Sequence, residues 1–206
     1  MILFAILLTV LFCAIVIHEV AHGWIAYKLG DPTAKFAGRI TLNPLAHIDP
    51  VGTILLPLSL IAISIITNTS PVIFGWAKPV PISFRNLKQP KTDMILVGLA
   101  GPAANFTLAM LASVIFKTIT SASPIALILL DNIITINLIL GVFNLLPIPP
   151  LDGSRIIMGI LPRKLSYAYA SFERYGMLIL FLLLGLGVFH AVILPIVQML
   201  RYMLLH

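Results

Sequence analysis

The stretch MILFAILLTVLFCAIVIHEVAHGWIAYK, residues 1–28, begins with seventeen residues that carry no charge and then sets His18, Glu19 and His22 inside the same apolar run. At about 20 apolar residues per bilayer crossing, it reads as one transmembrane helix. The helix is predicted from Ile2 to Lys28, with Gly30 and Asp31-Pro32 as its stop signal. No basic leader or small-residue cleavage pattern marks it as a secretory signal, so it is expected to stay attached. Further apolar runs lie at 51–66, 94–116, 125–148 and 176–197. With 60% hydrophobic and 10% charged residues and a mean hydropathy of +1.08, the 206-residue chain holds more apolar surface than a soluble core of its size can bury. The fold class that follows is an all-α membrane protein, a polytopic bundle of about five to six transmembrane helices. No linker, low-complexity tract or repeat divides it, so residues 1–206 are expected to form a single domain.

The net charge of +6 does not point to nucleic acid. Lys28, Lys88, Lys91, Arg163 and Lys164 sit at the ends of apolar runs, the distribution that orients spans with basic ends in the cytoplasm. The expected partner is the lipid bilayer, and the expected location is the cell (inner) membrane, crossed several times. Cys13 has no second cysteine to pair with and says little about redox compartment.

Lys28 and the pair Lys88 and Lys91 both mark cytoplasmic ends, so an even number of crossings must separate them. Only the run at 51–66 is available. It must dip and return, or pair with a non-helical return through Pro71 to Trp76, which is allowed at membrane depth only against protein or a watery cavity. A re-entrant insertion after the first helix, folded back against the turn that carries His18, Glu19 and His22, is therefore expected. Residues 39–42 alternate in polarity and are read as a short β-like strand able to hold an extended peptide by strand addition.

Residues 18–22, HEVAH, match HExxH. Residues four apart share a helix face, so His18 and His22 can reach one metal ion while Glu19 points at its water. Three ionisable groups on one turn within lipid are costly unless something pairs them, which favours a metal site over chance. The strongest candidate for a third ligand is Asp152 in NLLPIPPLDG, 144–153, because Pro147, Pro149 and Pro150 unwind the chain at membrane depth. The alternative is a plain helix terminus with Asp152 as cap. Topology favours the ligand, since the 125–148 helix brings Asp152 to the side where His22 lies, roughly 9 Å inside the Lys28 end.

Together HEVAH (18–22), NPLAHIDPVG (43–52), GWAKPVP (75–81), AGPAAN (100–105) and NLLPIPPLDG (144–153) resemble the site-2 protease family of intramembrane zinc metalloproteases in its compact prokaryotic form, without PDZ or CBS domain. The resemblance implies a Zn2+ ion bound by His18, His22 and Asp152, Glu19 as catalytic base, and cleavage of transmembrane segments of protein substrates. In that chemistry zinc lowers the pKa of its water to about 7 and Glu19 takes the proton. A substrate helix hides its carbonyls in hydrogen bonds and must unwind first, so spans with Gly, Pro or Asn are expected substrates.

The supporting residues are open to two readings each. Asn144 can serve the oxyanion or join helices, and Asn137 is read as interhelical glue. His47 and Asp49 can support the site or form an ordinary surface pair. Gly98, Gly101 and Ala104 make a small packing face, with Asn105 as a possible polar contact to the site. Trp24, Tyr27, Trp76 and Tyr202 fit interfacial belts. Lys78 either closes the cavity mouth or anchors to phosphates, and Glu173 and Arg174 pair with each other or a neighbouring helix. Two other functions fit the ionisable residues: a metal-binding membrane transporter, and an inactive relative that only binds membrane segments. Glu19, left by its spacing as a base rather than a ligand, speaks against the first, and the intact HExxH and Asp152 against the second.

Overall fold

The computed structural model describes residues 2–68, 75, 77–119 and 123–206, with side chains from Ile6 onward. Among them every regular element is helical, and five helices are long and apolar enough to cross a membrane. Helix α1 spans Ile2–Lys28 and stops where Gly30 turns to φ +113°, a left-handed conformation that glycine adopts without steric penalty. After a short α2 (Thr33–Phe36), a π-helical turn leads into α3 (Leu56–Thr67), which ends on left-handed Asn68. Helix α4 (Pro90–Thr118) and α5 (Pro124–Asn144) both begin at proline, whose fixed φ suits a first helical position. The C-terminal part comprises α6 (Asp152–Ile160), α7 (Arg163–Ala170), α8 (Gly176–Gly185) and α9 (Leu194–Leu205).

Helix α4 is the hub, packed against α1, α5 and α6. It runs antiparallel to α1, because His22 meets Val97, His18 meets Asn105, and Lys88 just before α4 bonds the Leu29 carbonyl just after α1. Small residues allow the close approach. A Cβ on Gly98 would stand 3.1 Å from the Asp152 carbonyl, and one on Gly159 would stand 2.3 Å from Ile95. The core on the far side of α4 joins Ala109 and Ala112 to Ile134, Leu138 and Val142 of α5 and Ile193 and Val197 at α9. Arg201 of α9 is paired with Asp131 of α5 at 2.5 Å.

The insertion between α1 and α4 starts and ends at one side. Asp31, fully buried, accepts from Ser83 N at 2.6 Å and Asn86 Nδ2 at 2.9 Å, which ties the return segment to the foot of α1. The described part of that return, residues 75 and 77–89, is non-helical apart from one turn at Phe84–Asn86. Of the non-helical return expected through Pro71 to Trp76, Gly75 alone is described, and the rest, Trp76 included, lies outside the described residues.

The strand expected at residues 39–42 is not formed. The loop folds on itself instead: Arg39 Nη1 donates to the Ala46 carbonyl, His47 Nε2 to the Thr41 carbonyl at 2.9 Å, and Asn43 N to Thr41 Oγ1 at 3.1 Å. A four-residue alternation is too short to tell a strand from a loop with one buried side.

Candidate metal centre

His18 and His22 stand one turn apart on α1, and α6 begins at Asp152. The Nε2 atoms of the two rings are 3.0 Å apart, and Asp152 Oδ2 lies 3.0 Å from His18 Nε2 and 3.2 Å from His22 Nε2. Both imidazoles are buried and cross nearly edge to face, at 82°.

The outer ring nitrogens show how the two rings are held. His22 Nδ1 donates to the Val97 carbonyl at 2.7 Å, and a carbonyl can only accept. His18 Nδ1 donates to Asn105 Oδ1 at 2.6 Å. The Asn105 amide is oriented in turn by Nδ2, which donates to Asn137 Oδ1 at 2.8 Å and to the Ala14 carbonyl at 3.4 Å. With both Nδ1 atoms donating outward, the two Nε2 atoms face a carboxylate oxygen, the arrangement in which neutral rings would offer their lone pairs to a cation. Three acceptors converging on one point repel unless a cation lies between them. Tetrahedral zinc with bonds of about 2.0–2.2 Å would set its ligands roughly 3.3–3.5 Å apart, a few tenths wider than the separations seen here. The donor set fits zinc, and the outer bonds that fix each ring are those that metal-binding histidines use.

Each partner is placed by a local reason. At 145–151 prolines deny the chain helical hydrogen bonds, and short turns replace them, Ile148 N to Leu146 O and Leu151 N to Ile148 O, both 2.8 Å. Gly153 lets α6 start hard against that turn, since a Cβ there would sit 2.2 Å from the Leu145 carbonyl. Asp152 does not cap the helix. Its carboxylate is turned to the histidines, Ser154 N bonds the Leu151 carbonyl, and the first turn of α6 adds a favourable dipole for the negative charge.

Glu19 Oε2 accepts from Val80 N at 2.8 Å. Lys78 and Val80 each precede a proline, which biases both toward extended backbone. Because Pro79 and Pro81 have no N–H, Val80 is the single main-chain donor of residues 79–81. Lys78 N, two residues earlier, bonds the His47 carbonyl at 2.9 Å. The segment fits closely along α1, where a Cβ on Gly23 would meet Val80 Cγ1 at 2.9 Å.

Of the other residues singled out from sequence, Asn105 is in contact with His18, and Asn137 backs it. Asn144 donates to the Leu140 carbonyl of its own helix at 3.1 Å and makes no hydrogen bond to the cluster. Asp49 caps the turn before α3, accepting from Val51 N and Gly52 N, and does not pair with His47. His47 is buried, held through Nε2 by Thr41. Glu173 pairs with Arg155 at 2.7 Å, while Arg174 lies over Tyr175. Gly101, read from sequence as packing, borders the centre itself: a Cβ there would stand 2.4 Å from His22 Nε2 and 2.6 Å from His18 Nε2. Its position directly before Pro-Ala-Ala-Asn gave no signal of that, because the fit depends on the crossing of α1 and α4.

The chain is 37% identical over 185 residues to the "Putative zinc metalloprotease YwhC" of Bacillus subtilis (strain 168), covering 86% of this chain and 78% of that protein. The model of Peptidase family M50 matches residues 117–186, which hold the proline turn and Asp152 but not HEVAH. The chain belongs to peptidase family M50. The "Putative zinc metalloprotease Rip2" of Mycolicibacterium smegmatis is 31% identical over 171 residues, 82% of this chain and 62% of that protein. "Zinc metalloprotease MJ0392" of Methanocaldococcus jannaschii is 27% identical over 169 residues, 81% of this chain and 37% of that longer protein. No solved structure matches significantly. As a member of the M50 family with five candidate spans, the chain is a multi-pass membrane protein.

Proposed function

We propose that this M50 peptidase is an intramembrane zinc endopeptidase of one domain, residues 1–206, with zinc held by His18, His22 and Asp152 and with Glu19 as its general base. Metalloprotease activity and zinc as cofactor accord with the family and its relatives' names. The observation that carries the assignment of residues is the triangle of Nε2, Nε2 and Oδ2 atoms at 3.0–3.2 Å, each ring fixed from behind by a hydrogen bond. Bound zinc supplies an acidified water and polarises a peptide carbonyl. The chain's own residues do the rest. Glu19, beside His18 and steadied by Val80 N–H, accepts the water proton and returns it to the departing amine. Asn105 and the Val97 carbonyl keep both imidazoles in one tautomer and orientation. The substrate is a membrane-protein segment, because the site lies among apolar spans. It has to lose helical hydrogen bonds before a carbonyl can be reached. The basic ends at Lys28, Lys88 and Lys91 support a site that faces the cytoplasmic side of the cell membrane.

The test is reconstitution with zinc and a transmembrane substrate, comparing the wild type with Glu19→Gln. Glu19→Gln is expected to keep its zinc and lose cleavage. Cleavage by Glu19→Gln at the wild-type rate would overturn the assignment of the base, and a wild type without any cleavage would overturn the activity.

A further inference from the structure

A cleft of about 360 Å³ opens one helical turn before Glu19 along α1, between α1, α5 and the insertion, walled by Leu8, Phe12, Ile15, Pro57, Ala77 and Leu140. We propose that it is the specificity subsite that takes one large apolar side chain of the unwound substrate, beside the bond that is cut. The proposal rests on Glu19 acting as the base.

Two independent walls lead from the cleft to Glu19. Leu8, Phe12, Ile15 and Glu19 follow at spacings of four, three and four, so they lie on one face of α1. On the opposite side Ala77 lines the cleft, and Val80, three residues on in the same non-helical segment, gives its N–H to Glu19. An extended peptide with its carbonyl at the metal centre and its chain running along α1 would bring a flanking side chain over this opening. Among the described residues its lining is mostly apolar and holds no charged side chain, so the occupant is apolar. The volume lies at the lower end of the roughly 300–1,000 Å³ usual for ligand pockets, ample for one large side chain and too small for a helix about 10 Å across. The opening persists because its floor is backbone on backbone: a Cβ on Gly75 would stand 2.6 Å from the Gly52 carbonyl. A second cleft of about 430 Å³ is lined by residues 89–94 and 158–167 and shares no residue with this one.

The experiment uses the full chain with zinc in proteoliposomes and a panel of one transmembrane substrate carrying Ala, Leu, Phe or Asp at each position flanking the cut. Wild type is expected to prefer Leu or Phe over Ala by at least tenfold in kcat/KM at one position, a ratio typical of an apolar pocket. Ala77→Phe, which fills the cleft, is expected to erase or invert that preference while keeping zinc and still cutting the Ala substrate. Phe12→Ala is expected to move it toward Phe. The same preference in wild type and both variants would overturn the proposal. So would phospholipid that copurifies with wild type and is lost from Ala77→Phe with the substrate preference unchanged, because the cleft would then hold an acyl chain. No cleavage of any substrate by wild type would instead overturn the protease reading beneath it.

Discussion

Replacing Gly101 with alanine places a methyl group 2.4 Å from His22 Nε2, 2.5 Å from His18 Cε1 and 2.6 Å from His18 Nε2. Ordinary contact begins near 3.4 Å, so the rings and α4 must separate by 0.8–1.0 Å. Metal-ligand distances tolerate only about 0.2 Å. The imidazoles cannot simply swing aside, since each is held through Nδ1 at 2.6 or 2.7 Å. Either those bonds break or α4 moves off α1, and each outcome spoils the ligand triangle. Disturbing the outer bonds alone costs about 10–100-fold in metal affinity. Gly101→Ala is therefore expected to weaken zinc binding by at least that factor, about 1.4–2.8 kcal/mol, with cleavage falling in parallel and helix content unchanged. Competition against a fluorescent chelator reads the affinity, and circular dichroism reads the fold. Gly98→Ala serves as a milder comparison, because its methyl group would meet Arg155 Cβ and the Asp152 carbonyl at 3.1 Å. Wild-type zinc affinity and activity in Gly101→Ala would refute the convergence of the two Nε2 atoms beneath α4.

Gly153→Ala drives a methyl group into the Leu145 and Leu146 carbonyls at 2.2 and 2.3 Å, where main chain cannot yield. It should displace Asp152 and abolish activity, with zinc per chain falling well below one by elemental analysis. Asn105→Ala removes the acceptor for His18 Nδ1 and should lower zinc affinity about 10–100-fold in chelator competition, whereas Asn105→Asp, which keeps an acceptor, should recover most of it. Burial opposes the charge on Asp31, yet hydrogen bonds from Thr33, Asn86 and Ser83 prevail and hold its carboxyl below the usual carboxylate range. This clasp stabilises the insertion fully above the unfolded value of about 3.9 and is lost as pH falls through the lower folded value. Asp31→Ala should destabilise the insertion by about 1–3 kcal/mol at neutral pH, seen as faster hydrogen exchange at Ser83 N–H.

The helices and the meeting of His18, His22 and Asp152 were readable for the same reason: lipid makes polar residues conspicuous. A histidine pair with glutamate inside a seventeen-residue apolar approach has few explanations, and three prolines ahead of Asp152 announce an unwound chain where unwinding is expensive. The antiparallel register of α1 and α4 was not readable, and with it went the role of Gly101, which looks like any small packing residue until His18 and His22 are opposite it. Val80 escaped notice because it acts through main-chain N–H, to which its side chain gives no clue. Asp49 and His47 looked like a pair because they are neighbours in sequence, whereas the turn before α3 claims one and Thr41 the other. At residues 39–42 local alternation misled, since hydrogen bonds within the loop outweighed a weak strand preference.

The hydrogen-bond chain behind His18 reaches from α1 through Asn105 of α4 to Asn137 of α5, and Asp152 adds α6. A cation seated among the ligands therefore fastens together four helices that lipid, being as oily as they are, does little to press against one another. Metal occupancy and architectural integrity become one equilibrium, and free zinc at a thousand times its dissociation constant would add about 4.1 kcal/mol to the assembled bundle. Chelation should accordingly loosen the whole scaffold as well as silence it, lowering the temperature at which the spans come apart.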